Sequence, residues 1–189
     1  MIFNLPNTLT WARILLIPIV VGVFYAPHRL LDPPTQNLVA TAVFILAAVT
    51  DWLDGWLARS LSQTSAFGAF LDPVADKLMV AAALIVLVEL NRVNAIIAFV
   101  IIGREITISA LREWMAKVGE GKSVAVATIG KLKTIAQMVA IPLLLFDGRL
   151  LGMDTGAIGT ASIDVAAALT IWSMFYYLKR AAPALTRSD

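Results

Sequence analysis

Cysteine is absent from the 189 residues and histidine occurs once, at His28. Disulfides, thiolate catalysis and cysteine-held zinc or iron–sulfur centres are therefore excluded, and a histidine metal site lacks ligands. Charge is scarce as well: 15% of residues are Asp, Glu, Lys or Arg, against about 25% in ordinary soluble domains. With 59% hydrophobic residues and a mean hydropathy of +0.82, the composition is that of a polytopic membrane protein. The formal net charge of +2 and the singly placed basic residues give no nucleic-acid footprint. The first twelve residues hold no Lys or Arg, which argues against a cleaved secretory signal and for a retained first span.

What is present is long apolar runs. A hydrocarbon core of about 30 Å needs about 20 apolar residues per helix. On that measure the chain predicts an all-α bundle of six transmembrane helices, near 8–25, 37–59, 69–90, 94–116, 131–147 and 157–178. The connections are short and polar, no repeat is visible, and residues 1–189 read as a single domain. Assigning each basic residue to the nearer span end puts twelve on one side (Arg13, Arg59, Lys77, Arg104, Arg112, Lys117, Lys122, Lys131, Lys133, Lys179, Arg180, Arg187). Only Arg29, Arg92 and Arg149 fall on the other. The positive-inside rule then places both termini in the cytoplasm.

Against this apolar background, four carboxylates fall between Asp51 and Asp76, all at the cytoplasmic level. Asp51 and Asp54 are three residues apart and Asp72 and Asp76 four apart, so each pair projects from one helix face. Each acid at the centre of a span costs about 2.5–3.5 kcal/mol, and mutual repulsion adds to that, so the cluster calls for cations. Oxygen-only ligands select a hard divalent ion, Mg²⁺ or Mn²⁺ (Ca²⁺ also suits), and four carboxylates suffice for two ions. Gly55, Ala58 and Gly68 keep the same faces small, and Arg59 adds a planar donor. A purely structural alternative makes Asp72 a helix N-cap ahead of Pro73 and the glycines mere packing residues. Asn7, Thr10 and Arg13 form a polar stripe at i, i+3 and i+6 on the first span, either a functional face or an interfacial anchor with Arg13 snorkelling.

The run Asp51-x-x-Asp54-Gly55-x-x-Ala58-Arg59, eight residues, Gly68-x-x-x-Asp72-x-x-x-Asp76 resembles the full signature of the CDP-alcohol phosphotransferase family, departing from it nowhere. The resemblance implies an integral membrane enzyme that moves a substituted phosphate from a CDP-linked donor to an alcohol and releases CMP. By it, Asp51, Asp54, Asp72 and Asp76 are metal ligands and Asp76 is also the base that takes the acceptor's proton. Asn7, Thr10, Arg13, Asp54, Gly55, Ala58, Arg59 and Gly68 would bind the CDP moiety. It further implies a multi-pass inner-membrane enzyme with its site facing the cytoplasm, and it leaves a homodimer open.

Arg104, Glu105, Arg112, Lys131 and Lys133 gather near the cytoplasmic ends of spans four and five. A basic pocket there suits an acceptor that is itself a phosphate ester. Arg104, Arg112 and Lys131, then Lys133, are its candidate contacts, with topology and Arg–Glu pairing the structural alternative. Lys131, Thr134 and Gln137 again follow i, i+3, i+6, a stripe able to face a cavity. These segments and the amino-terminal one resemble the family members that join CDP-diacylglycerol to sn-glycerol 3-phosphate, with the acyl chains in a groove between spans. Competing readings are a phosphatidylinositol-phosphate, phosphatidylserine or cardiolipin synthase, an aspartate-rich prenyltransferase, and a cation transporter. The remaining conspicuous residues read as structural: Pro18 and Pro142 as kinks or packing features, Trp11, Trp114, Trp172, Tyr176 and Tyr177 as an interfacial aromatic belt, and Met79, Met138 and Met174 as core.

Overall fold

In a medium without water, backbone donors and acceptors must pair within the chain, so apolar runs of this length form helices. The computed structural model describes residues 5–60, 66–117 and 128–185. Six long helices dominate: α1 (Leu5–Gly22), α2 (Pro33–Ser60), α3 (Ala66–Glu89), α4 (Ala95–Lys117), α5 (Thr128–Phe146) and α6 (Thr155–Leu185). Each matches one expected span. The shortest, α5 with 19 residues, is about 28 Å long at about 1.5 Å per residue, close to the hydrocarbon thickness.

Length and apolar composition together qualify three stretches to cross a membrane: Thr8–Tyr25, Pro33–Asp54 and Thr155–Lys179. Helices α3 and α4 are long enough but carry Asp72, Asp76 and Lys77, and Arg104, Glu105 and Arg112. Two features were not expected from hydropathy. A 3₁₀ turn, Val23–Tyr25, extends α1, and a small hairpin pairs β1 (Arg149–Leu150) with β2 (Met153–Asp154). Its two-residue loop, Leu151 and Gly152, has φ of 52° and 82°, the mirror-image turn whose twist suits a tight hairpin.

The helices pack as two groups of three. In one, α1 lies against α2 and α3; in the other, α6 lies against α5 and α4; the groups meet where α2 packs on α5 and α3 on α4. Helices α2 and α3 touch each other little, so α1 acts as the wedge between them. The core mixes small and branched side chains, among them Val20, Phe44, Ala83, Leu87, Ile101 and Ile141. Met79 is buried there and Met138 packs against it, while Met174 packs on a second cluster of Ile108, Met115, Tyr177 and Ala181, as expected of gap fillers. At Gly159 a Cβ would come within 2.7 Å of Leu144 Cγ, so the glycine sets how closely α6 approaches α5. Large apolar side chains such as Leu15, Ile85, Ile96 and Phe99 point outward, as lipid-facing residues should.

At the end of the bundle away from the aspartates, Arg92 in the α3–α4 connection closes the structure. Its Nη1 donates to the carbonyls of Leu144 (3.2 Å) and Leu145 (3.0 Å), its Nη2 to Asn37 Oδ1 (2.9 Å), and its Nε faces Asp147 Oδ2 at 3.1 Å. One guanidinium thus satisfies terminal carbonyls of α5 and ties that end to α2. Arg92→Ala should lower stability by about 2–3 kcal/mol, since several charge-assisted hydrogen bonds vanish together. Thermal unfolding in detergent checks this; an unchanged melting temperature would show the clamp to be idle.

Candidate active site

Asp51 and Asp54 come from the last turns of α2, and Asp72 and Asp76 from the first turns of α3. Between these pairs α1 inserts Thr10 and Arg13, both almost fully buried. Arg13 Nη1 lies 2.6 Å from Asp51 Oδ1 and 3.9 Å from Asp76 Oδ1, and its Nη2 bonds the buried Asp54. Thr10 Oγ1 donates to Asp72 Oδ1 at 2.6 Å and lies 3.5 Å from Asp54 Oδ2. All four signature acids therefore converge, through α1 more than through direct contact of α2 with α3. The snorkelling alternative for Arg13 does not hold, because the guanidinium points inward and only 1% of the residue is exposed. Nor is Asp72 an N-cap: α3 begins at Ala66 and runs through Asp72 and Pro73. Gly68 is buried on the same helix. The side chains of Asn7, Gly55, Ala58, Arg59 and Lys131 lie outside the described residues.

A cavity of about 320 Å³ opens beside the acids, lined by Asp51, Asp72, Asp76 and Lys77 on one side and by Glu105, Thr134 and Gln137 on the other. It lies on the seam between the two helix groups. The α5 stripe read from sequence spacing thus faces it through Thr134 and Gln137.

Of the expected basic residues, Arg104, Arg112 and Lys133 stand behind this wall rather than in it. Lys133, buried, is paired with Glu105, whose Oε1 also lies 3.5 Å from Arg104 Nη1. Arg104 Nη2 donates to Ser173 Oγ at 3.2 Å, and Arg112 Nη2 to Tyr177 Oη at 3.2 Å. Both guanidiniums sit over the Tyr177 ring, 5.5 Å and 5.3 Å from its centroid. Tyr177 is fully buried, which corrects its assignment to an interfacial belt. Sequence reading missed its role because a tyrosine near a span end looks the same whether it faces lipid or two arginines. Trp172, by contrast, is exposed as a belt residue should be.

The family model for CDP-alcohol phosphatidyltransferase matches residues 3–175. The chain belongs to the CDP-alcohol phosphatidyltransferase family. It is 50% identical over 181 residues to a protein of Pectobacterium atrosepticum named CDP-diacylglycerol–glycerol-3-phosphate 3-phosphatidyltransferase, covering 95% of both chains. Proteins of the same name from Sodalis glossinidius (51% over 177 residues, 93% of both chains) and Haemophilus influenzae (49% over 182 residues, 94% and 92%) are similar to the same extent.

For a CDP-alcohol phosphatidyltransferase, the donor set suits a hard divalent ion: four carboxylates and a hydroxyl, with no nitrogen or sulfur ligand. As arranged, no three acidic side chains among the described residues are close enough to hold one ion together. Arg13 is instead the counter-charge at their centre, and with Lys77 at the cavity wall it offers two positive charges against four negative. In surroundings of low dielectric that imbalance favours further cations. Arg13→Gln should remove the cation that pairs with Asp51 and the buried Asp54, lowering stability by about 3–5 kcal/mol in chelator. Added Mg²⁺ should recover part of the loss. Thermal melts with and without chelator test this, and an unaffected variant would remove Arg13 as the group that holds the acids.

Proposed function

We propose that the chain transfers the phosphatidyl group of CDP-diacylglycerol to sn-glycerol 3-phosphate, giving phosphatidylglycerophosphate and CMP. The observation that carries this reading is 50% identity over 95% of the chain to a relative named for that reaction. Convergence of the signature acids beside a cavity supports it independently. Residues 1–189 act as one domain, and the distribution of basic residues favours a site facing the cytoplasm from the inner membrane.

The reaction is a direct displacement. The acceptor's hydroxyl oxygen bonds to the phosphorus that carries diacylglycerol, and the bond from that phosphorus to the bridging oxygen of the pyrophosphate breaks. CMP leaves with the electron pair, and the acceptor's proton passes to Asp76, which lines the cavity. Thr10 and Arg13, with Asn7, Asp54, Gly55, Ala58, Arg59 and Gly68, surround the cytidine diphosphate. Mg²⁺ or Mn²⁺, held as a pair by Asp51, Asp54, Asp72 and Asp76, would supply positive charge at the pyrophosphate as CMP departs. Arg104, Arg112 and Lys133, set behind the cavity wall, supply the positive charge that draws the acceptor's phosphate to that side, and Lys131 is its remaining candidate contact. Direct displacement is favoured over a two-step route because cysteine is absent and His28 lies in the turn ahead of α2, a helix length from its acidic end.

An ion path would place acids along the bundle, whereas the signature acids sit at one end and Asp147 at the other is tied to Arg92. The test is CMP release from CDP-diacylglycerol by the purified protein with glycerol 3-phosphate, inositol 1-phosphate, serine or phosphatidylglycerol offered in turn. Glycerol 3-phosphate should be the productive acceptor, chelation should silence the enzyme, and Mg²⁺ or Mn²⁺ should restore it. Turnover with a different alcohol alone, or turnover that survives thorough chelation, would overturn the reading. Asp76→Asn should cut kcat by at least about 100-fold, the typical share of a general base, while CDP-diacylglycerol still binds. A variant with near-normal turnover would eliminate Asp76 as the base.

A further inference from the structure

One cavity-lining donor has no acceptor among the described residues. Gln137 is 4% exposed, and its Nε2 finds no hydrogen-bond acceptor among the described residues, although it lines the seam cavity opposite Asp72 and Asp76. A buried amide donor left unsatisfied is costly to the fold, and one that lines a cavity is placed to donate to a ligand that enters there. Its other neighbours on the wall, Thr134 and Glu105, already have interactions of their own.

The ligand atom it suits follows from position and charge. Gln137 lies one helical turn beyond Lys133 on α5, about 6 Å along the axis. Lys133 and its neighbours carry the positive charge fit for a phosphate, and Asp76 across the cavity takes the proton of the attacking hydroxyl. A neutral donor on the cavity wall, one turn from Lys133 and across from Asp76, is not needed by a phosphate that cations already attract, nor by an oxygen that is losing its proton to a base. It matches an uncharged hydroxyl that sits between them in the acceptor, and in a three-carbon polyol phosphate that is the secondary hydroxyl.

On that basis, and resting on the proposed reaction, we infer that Gln137 donates from Nε2 to the C2 hydroxyl oxygen of the acceptor and so selects a vicinal diol phosphate over a simple hydroxyalkyl phosphate. A site built to hydrogen-bond a substrate hydroxyl rejects the analogue lacking it, because the site's own polar group is then left unpaired.

The experiment compares kcat/KM for CMP release with sn-glycerol 3-phosphate and with 3-hydroxypropyl phosphate, which lacks only the C2 hydroxyl. The wild-type enzyme should prefer the former by at least tenfold. Gln137→Met and Gln137→Leu should bring the two acceptors within about threefold by losing glycerol 3-phosphate turnover, with the KM for CDP-diacylglycerol unchanged. Neither variant should melt below wild type, because each replaces an unpaired buried amide with an apolar side chain of similar size. A folded variant that keeps the preference, or that loses both acceptors equally, overturns the assignment, as does a wild-type enzyme that ignores the C2 hydroxyl. If the wild type releases CMP with neither acceptor, the proposed reaction itself fails, a result distinct from those.

Discussion

A single buried guanidinium organises the acidic end of this bundle. Arg13 reaches Asp51 and Asp54 on α2 and comes within 3.9 Å of Asp76 on α3, while Thr10 one turn earlier binds Asp72. Four carboxylates at the border of a hydrocarbon layer would otherwise repel one another and draw water into the bundle. The arrangement explains why α1 lies between α2 and α3. Those two helices cannot close directly on each other while both present acids to the same space, so a third helix bearing a cation and a hydroxyl fills it. Apolar packing around Val20, Phe44 and Ala83 then fixes the three helices at the level below.

The opposite end follows the same logic with the signs exchanged. There the chain must satisfy helix-terminal carbonyls, and Arg92 does so for α5 while reaching Asn37 on α2 and Asp147 beyond α5. With both ends fixed by charge and the middle by interlocking small residues, such as Gly159 against Leu144, the seam between the two helix groups keeps a cavity beside the acids.

Much of this was legible beforehand, for identifiable reasons. The count and type of the helices follow from the bilayer's demand on backbone pairing, which hydropathy reports directly. Asp51, Asp54, Asp72 and Asp76 stood out because acids are costly in such surroundings, and helical spacing alone put Thr134 and Gln137 on a common face with Lys131. Spacing is silent on what lies across from a face. It could not show that Arg13 turns inward to the acids instead of outward to the interface, nor that Arg104 and Arg112 share the ring of Tyr177. Both depend on pairings between residues more than 40 positions apart, as in Arg13 with Asp54 and Arg112 with Tyr177. The Asp72–Pro73 pair left a structural alternative open for a related reason. Proline inside a helix lacks one donor, but α3 has neighbouring helices to hold it, and the helix continues through it.

The division of charge between the two helix groups gives the seam its chemical direction. The amino-terminal group brings four carboxylates against Arg13 and Lys77, an excess of negative charge. The carboxy-terminal group brings Arg104, Arg112 and Lys133 against Glu105, an excess of positive charge. The acids line a cavity of about 320 Å³ whose far wall carries Glu105, Thr134 and Gln137, with the excess cations behind that wall, and low-dielectric surroundings strengthen the field between the two groups. A seam filled with Leu and Ala, like the core around Leu87 and Ile141, would pack more tightly and carry no such field. The field orders any molecule that is anionic at one end and reactive at the other. Its anion is favoured on the side of the group that holds Arg104, Arg112 and Lys133, and its other end on the side of the signature acids. Orientation of this kind converts an encounter between two small polar groups into a reaction within one assembled site, and so contributes to rate before any bond is broken.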